Sequence, residues 1–340
     1  MHRSGTSAIT NVLEAGGLYC GKSQDLLPAD QWNQKGYFER NRLVELNEAL
    51  LYQHFLSYAN EYPDIIGYQK SNPDPREGWI LGSLVSVLKR KAIQAEETGA
   101  IGDYVNLLYK ESETGQSIVL KDPRLSITLP VWLGYLKNVV VIVAVRNPAE
   151  VAQSLYAREQ LPRSASRLLW EIYTKSAVQA SKGLRRIVID YSNLIENPES
   201  SVNRLFDFLK NNGIDDLNDD REQAIKCIDP ALHHNKPVET DHALERIFDY
   251  QARIYRRIAM DEHLDAVLAN EELPEQQGDE LALSSLGTMM KILNDRREIA
   301  ELTGKLGHCY QKLDRVNNHI VAGSVIRFLR MIKRDKTFGR

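Results

Sequence analysis

The sequence predicts an α/β fold: a central parallel sheet flanked by helices, followed by a C-terminal helical extension. Three observations carry that expectation. Short runs rich in β-branched residues lie at 117–120 (SIVL), 139–145 (VVVIVAV) and 186–189 (RIVI). A stretch of helical character follows each of them. The runs are continuously apolar rather than alternating, the pattern of strands covered on both faces. In such sheets ligands gather beyond the carboxyl ends of the strands, and here those ends carry Lys121, Arg124, Arg146 and Tyr191.

Ahead of the sheet, residues 6–15 read as a helix that stops at Gly16-Gly17, a C-cap signature. Residues 28–40 read as a loop, and 43–55 return to helical period. The stretch 61–78, with Pro63, Pro73 and Pro75, reads as an insertion or lid, and 80–95 is again helical. The main domain is expected over 1–270. Residues 271–280, acidic and carrying Pro274 and Gly278, form a linker to a helical extension over 281–340. In that extension Leu302, Leu306, Cys309, Leu313, Val316 and Ile320 step by 4, 3, 4, 3 and 4. This heptad stripe reads first as a helix docked on a neighbour and second as a short coiled coil. The last 20 residues hold six basic residues and one acid, net +5, against −8 for the preceding 320. The first reading of this basic tail is a docked helix with a solvated end. The second is peripheral contact with an anionic membrane surface.

Composition excludes several classes. With 340 residues, 43% apolar and 26% charged, the chain is globular rather than fibrous or disordered. Forty-three basic against 46 acidic residues, net −3, speaks against a nucleic-acid binder. Cys20, Cys227 and Cys309 lie far apart, without the spacing of a disulfide framework or a cysteine zinc site. No other acid or histidine cluster with metal-ligand spacing stands out, so no metal is expected. The longest purely aliphatic run is seven residues, too short to span a bilayer, and no apolar signal segment opens the chain. The expectation is a cytoplasmic protein.

The chemistry concentrates in a few segments. His2-Arg3-Ser4-Gly5-Thr6-Ser7 immediately precedes a predicted helix. A glycine among small hydroxyl residues lets backbone N–H groups converge on an anion, aided by the helix N-terminus. Arg3 adds a fork of donors suited to phosphate or sulfonate oxygens. The Walker A pattern G-x-x-x-x-G-K-[ST] is absent, which weakens an ATPase or GTPase reading. Arg146 follows a strand, and Ser154 lies eight residues on, two turns into the next helix, so both can face one phosphate. His233-His234-Asn235-Lys236, between Pro230 and Pro237, reads either as a basic loop over a ligand or as a surface turn.

Taken in order, Arg3-Ser-Gly-Thr-Ser7, Gly36-Tyr-Phe-Glu39, Lys121-Asp-Pro-Arg124, Arg146-Asn-Pro with Ser154, and Tyr191-Ser-Asn-Leu194 resemble bacterial sulfotransferases. These enzymes use 3′-phosphoadenosine 5′-phosphosulfate (PAPS). The second and third segments are also similar to tyrosylprotein sulfotransferases. The resemblance covers about residues 1 to 235. It implies a P-loop NTPase-like sulfotransferase fold and PAPS as co-substrate. By resemblance, Arg3 and the backbone of Ser4, Gly5, Thr6 and Ser7 hold the 5′-phosphosulfate. Arg146 and Ser154 hold the 3′-phosphate, with Arg158 a further candidate, and Tyr191 lies near the nucleotide. Glu39 is the implied base, and Lys121 with Arg3 stabilises charge on the departing group. Asp122 and Arg124 read as structural, with Asp122 the next candidate base.

Two departures from the family pattern stand out. Relatives place a buried strand before the phosphate loop, whereas here Met1 adjoins His2, so the expectation is either a truncated start or a sheet that lacks its first strand. Cytosolic arylsulfotransferases carry a histidine two residues past the matching lysine, and this chain has Pro123. The acceptor is open among saccharide, lipid, peptide and metabolite, with 63–78 and 160–166 the expected acceptor loops. Two other functions compete: a P-loop-like nucleotide kinase, and an inactive nucleotide-binding or scaffold protein acting through the C-terminal helices.

Overall fold

A computed structural model of the chain describes residues 1–30, 33, 35–61, 80, 83–85, 99–112, 116–229, 242–260 and 285. The chain divides into two compact units, Met1–Gly287 and Thr288–Arg340. The 63–78 segment, the His233–Lys236 motif, the linker, the heptad stripe and the basic tail lie outside the described residues.

The first unit is mixed α/β and mostly helical, with a small parallel sheet flanked by helices. Its helices are α1 (Thr6–Ala15), α2 (Asn41–Glu61), α3 (Gly99–Glu111) and α4 (Leu125–Trp132), then strand β1 (Val140–Val145). After β1 come α5 (Pro148–Glu159), α6 (Arg163–Ala180) and β2 (Arg185–Asp190). Then, among the described residues, come α7 (Tyr191–Glu196), α8 (Pro198–Asn211), α9 (Arg221–Lys226) and α10 (His242–Ala259). The two strands pair in parallel from Val140↔Arg185 to Val145↔Asp190. A parallel pair needs a crossover, and α5 with α6 supplies it.

Local chemistry explains the boundaries that matter. Helix α1 ends where predicted, with the Gly16, Gly17 and Leu18 N–H groups returning to the Val12, Glu14 and Leu13 carbonyls. Helix α5 opens because Asn147 accepts a hydrogen bond from the Ala149 N–H at 2.9 Å, with Pro148 in the first turn. Asp190 caps α7 by accepting from the Asn193 N–H at 2.9 Å.

Two expectations change. The run at 117–120 makes an isolated parallel bridge, Ile118 to Tyr19, rather than a third named strand. Asp216 takes both the Ser117 N–H and its hydroxyl at 2.6 Å. The chain then turns at Asp122, whose carbonyl accepts from the Leu125 N–H, so pairing ends almost where it starts. The expected acceptor loop at 160–166 is mostly helix: only Gln160, Leu161 and Pro162 separate α5 from α6, and Leu161 is buried.

One core lies between α1, β2 and α8, built from Ile9, Val12, Leu13, Ile187, Ile189, Val202, Leu205 and Phe206. Burying each such side chain contributes about 1.5–3 kcal/mol. Helix α6 packs on α4, α5 and β1, and buries Trp170 and Tyr173. Helix α10 reaches the end of β2, where the Tyr255 hydroxyl donates to Asp190 at 2.8 Å.

Candidate functional site

The site forms where β1 and β2 end. Because Val145 is in register with Asp190, the next residues, Arg146 and Tyr191, emerge side by side. The Arg146 guanidinium lies over the Tyr191 ring, 4.6 Å from its centroid. Below them sits the turn that opens α1. Gly5 there has φ +81°, and a Cβ at this position would stand 2.1 Å from Tyr191 Cδ2. Glycine is therefore required twice, by backbone conformation and by the ring against it.

The two halves of the site join through Arg3. Its backbone is left-handed, φ 63°. Its Nε donates to Ser154 Oγ at 2.7 Å, and its carbonyl accepts from Arg146 Nη1 at 3.2 Å. Arg146 Nε donates to Glu150 Oε2 at 2.8 Å, and the Trp170 indole N–H donates to the Arg146 carbonyl at 2.9 Å. Arg146 Nη2 and Ser4 Oγ are buried without a hydrogen-bond partner among the described residues. A buried donor left in this way costs about 1–3 kcal/mol. Burial, then the neighbouring charges of Arg158 and Arg146, pull the Arg3 guanidinium below its ordinary value. Arg158 is held by Glu159 at 3.0 Å and by the Tyr37 ring, 5.3 Å from its centroid.

A second cluster adjoins the first. Lys121 Nζ pairs with Glu39 Oε1 at 2.6 Å, both groups buried, and donates to Ser7 Oγ at 3.2 Å. Lys121 forms no ion pair with the adjacent Asp122. Asp122 instead accepts from Asn47 Nδ2 at 2.8 Å and from the Arg124 backbone and guanidinium, both at 2.9 Å. Arg124 also pairs with Glu48 at 2.6 Å. Asp122 and Arg124 thus lock the turn before α4, and Asp122 is committed to that task rather than to proton transfer.

The sequence-derived residues Arg3, Ser4, Gly5, Thr6, Ser7, Glu39, Lys121, Arg146, Ser154, Arg158 and Tyr191 fall within these two connected clusters. Thr6 contributes as the first residue of α1, its carbonyl accepting from the Thr10 hydroxyl at 2.9 Å. Tyr191 belongs to the hydrophobic core as well as to the site. Sequence reasoning missed Glu150, Trp170 and Asn33. Asn33 Nδ2 donates to Ser7 Oγ at 3.1 Å and to the Gly36 carbonyl at 2.6 Å. Glu150 was open to detection, being four residues from Arg146 across the start of a helix; Asn33, in a loop, carried no such signal.

The arrangement sets three guanidinium groups, an ammonium, a hydroxyl with no partner among the described residues and a helix N-terminus at one end of the sheet. Such a set can accept a polyanion, and the Glu39 carboxylate beside it can accept a proton. Among the described residues no group of three or more His, Cys, Asp or Glu side chains is placed to hold a metal ion. No helix among them is long and apolar enough to cross a membrane. Comparison of the chain with family models, curated proteins and solved structures returns no match.

Proposed function

We propose that the chain is a sulfotransferase that moves the sulfuryl group of PAPS to an acceptor hydroxyl or amine, on a P-loop NTPase-like fold of the sulfotransferase type. The observation that carries this reading is the hydrogen bond from Arg3 to Ser154 at 2.7 Å. It joins two segments, each resembling a phosphate-binding motif of that family, that lie 151 residues apart in sequence. The residues present suit the nucleotide: the Ser4 hydroxyl and Arg146 Nη2, buried without a partner among the described residues, are donors of the type a phosphate takes up.

Arg3 and the Ser4–Ser7 backbone would hold the 5′-phosphosulfate, and Arg146, Ser154 and Arg158 the 3′-phosphate. PAPS, as substrate, supplies a sulfur with a good leaving group: the acceptor oxygen or nitrogen bonds to sulfur as the bridging S–O bond breaks, and its electron pair stays on the phosphate. Glu39 removes the acceptor proton. Lys121 neutralises the charge that develops on the bridging oxygen, aided by Arg3. Preorganised donors of this kind are commonly the largest contribution to catalysis.

The test is direct. Titration with 3′-phosphoadenosine 5′-phosphate and with adenosine 5′-phosphate should show tighter binding of the bisphosphate. Radiolabelled PAPS offered with a panel of saccharides, lipids, peptides and metabolites should label an acceptor. Equal affinity for the two nucleotides would remove the PAPS reading. Bisphosphate preference without transfer to any acceptor would leave a nucleotide-binding protein in its place.

A further inference from the structure

The Arg146 guanidinium is held on three sides. Glu150 Oε2 takes Nε at 2.8 Å, the Arg3 carbonyl takes Nη1 at 3.2 Å, and the Tyr191 ring covers one face at 4.6 Å. Trp170 fixes the backbone behind it by donating to the Arg146 carbonyl at 2.9 Å. Only Nη2 lacks an acceptor among the described residues, although it is buried. Arg146 and Glu150 both lie almost wholly out of solvent, 6% and 7% exposed.

An arginine side chain has four rotatable bonds and a planar fork, so an unheld guanidinium presents its donors in many directions. Fixing Nε and Nη1 fixes the plane and leaves one edge to spare. A carboxylate this close to a phosphate site also opposes the binding of an anion. A residue that served affinity by charge alone would therefore not be a glutamate.

We infer that Glu150 is a positioning residue that orients Arg146 so that Nη2 is the donor for the nucleotide 3′-phosphate. The inference rests on the proposed reading and adds the source of its selectivity for a 3′-phosphorylated nucleotide. Glu150 itself touches no substrate. It acts through the direction in which Arg146 offers its last donor.

The readout is the ratio of affinities for 3′-phosphoadenosine 5′-phosphate and adenosine 5′-phosphate, which a loss of stability alone would not change. In Glu150→Ala the ratio should fall about tenfold, as one charge-assisted contact loses its alignment. In Glu150→Gln, whose side-chain carbonyl can still accept from Nε, it should stay within about threefold of wild type. Should the alanine variant fail to fold, Glu150→Asp decides. It keeps the charge but draws the acceptor back by one methylene, and the ratio should fall by about threefold or more. A ratio that is unchanged or higher in the alanine variant, or unchanged in the aspartate variant where alanine does not fold, overturns the inference. A wild-type protein that does not prefer the bisphosphate removes the proposed function as well.

Discussion

Arg124 and Arg3 lie in adjoining buried regions of one domain, and their surroundings push them in opposite directions. Around Arg124, burial alone would lower the guanidinium, but the charges of Asp122 and Glu48 outweigh it and lift it above its ordinary value. Around Arg3, burial and the charges of Arg158 and Arg146 act together and pull it down. Arg124 and Arg146 each keep one buried nitrogen without an acceptor among the described residues, so an orphan donor does not separate the two regions. Charge balance does. One arginine faces two carboxylates at the turn before α4, whereas three arginines are set against Glu150 and Glu159 at the end of the sheet. Paired charge holds a structure together. Three arginines drawn together beside two carboxylates are the charge pattern on which the proposed anion site rests.

The largest expected effect falls between these regions, at the Lys121–Glu39 pair. Glu39→Gln keeps size and can still accept from Lys121, but it cannot take a proton at neutral pH. Loss of a general base typically costs ~10²–10⁴ in rate. Turnover should therefore collapse while affinity for 3′-phosphoadenosine 5′-phosphate stays within about threefold of wild type. Near-normal turnover would clear Glu39 of the role, and Asp122, fully engaged with Asn47 and Arg124, is poorly placed to inherit it.

A paired substitution tests the contrast itself. Arg124→Ala takes the guanidinium away from Asp122 and Glu48 and leaves a buried gap, and removing one partner of a buried pair costs about 3–5 kcal/mol of stability. Where the variant is still folded, its preference for the bisphosphate should be intact. Arg146→Ala should do the reverse. It should weaken 3′-phosphoadenosine 5′-phosphate binding by about 2–3 kcal/mol, tens of fold, and hardly touch adenosine 5′-phosphate. Chemical denaturation and calorimetric titration of both variants give the two readouts. If the pattern is exchanged, or if both variants lose both properties equally, the division into a structural and a ligand-facing region is wrong.

Much of this contrast was legible in the sequence, and the limits have physical causes. Runs 139–145 and 186–189 became strands because continuous β-branched segments have few other ways to bury themselves. The run at 117–120 has the same composition, yet the Asp216 carboxylate captures the Ser117 N–H and hydroxyl and the chain turns at Asp122, so one bridge is all that forms. Composition cannot foresee a side chain 99 residues away. The site residues were legible where a motif joined a cation to a glycine turn or a capped helix, as at Arg3-Ser-Gly and Arg146-Asn-Pro. The role of Tyr191 was only half legible. A strand-end tyrosine can be predicted near a ligand, but its place against Gly5 depends on how α1 meets β2, which is a matter of packing. Asn33 became visible only once the loop holding it had closed on Ser7.

The smallest effect sharpens the contrast from within, because His2 feels both regions. Its ring packs edge-on against Tyr173, with centroids 5.6 Å apart, and although the residue keeps some exposure its Nε2 is buried. Burial first, then the charges of Arg124, the terminal amine, Lys121 and Arg158, hold the imidazole well below its ordinary value of 6.5. The folded chain therefore keeps His2 neutral where the unfolded chain would protonate it. Below pH 6.5 the unfolded state binds the additional proton, so stability falls as pH drops from 6.5 toward the folded value. Above that range His2 contributes no slope. The effect is at most about 1.4 kcal/mol per pH unit for a single proton. His2→Phe retains an aromatic ring against Tyr173 and removes the titration. Its unfolding free energy should follow wild type near pH 8 and decline less steeply between pH 6.5 and 5.5, as read by urea denaturation at each pH. Parallel curves for the two proteins would mean that the folded state protonates His2 as readily as the unfolded chain does, and that the cations around it exert no net field on the ring.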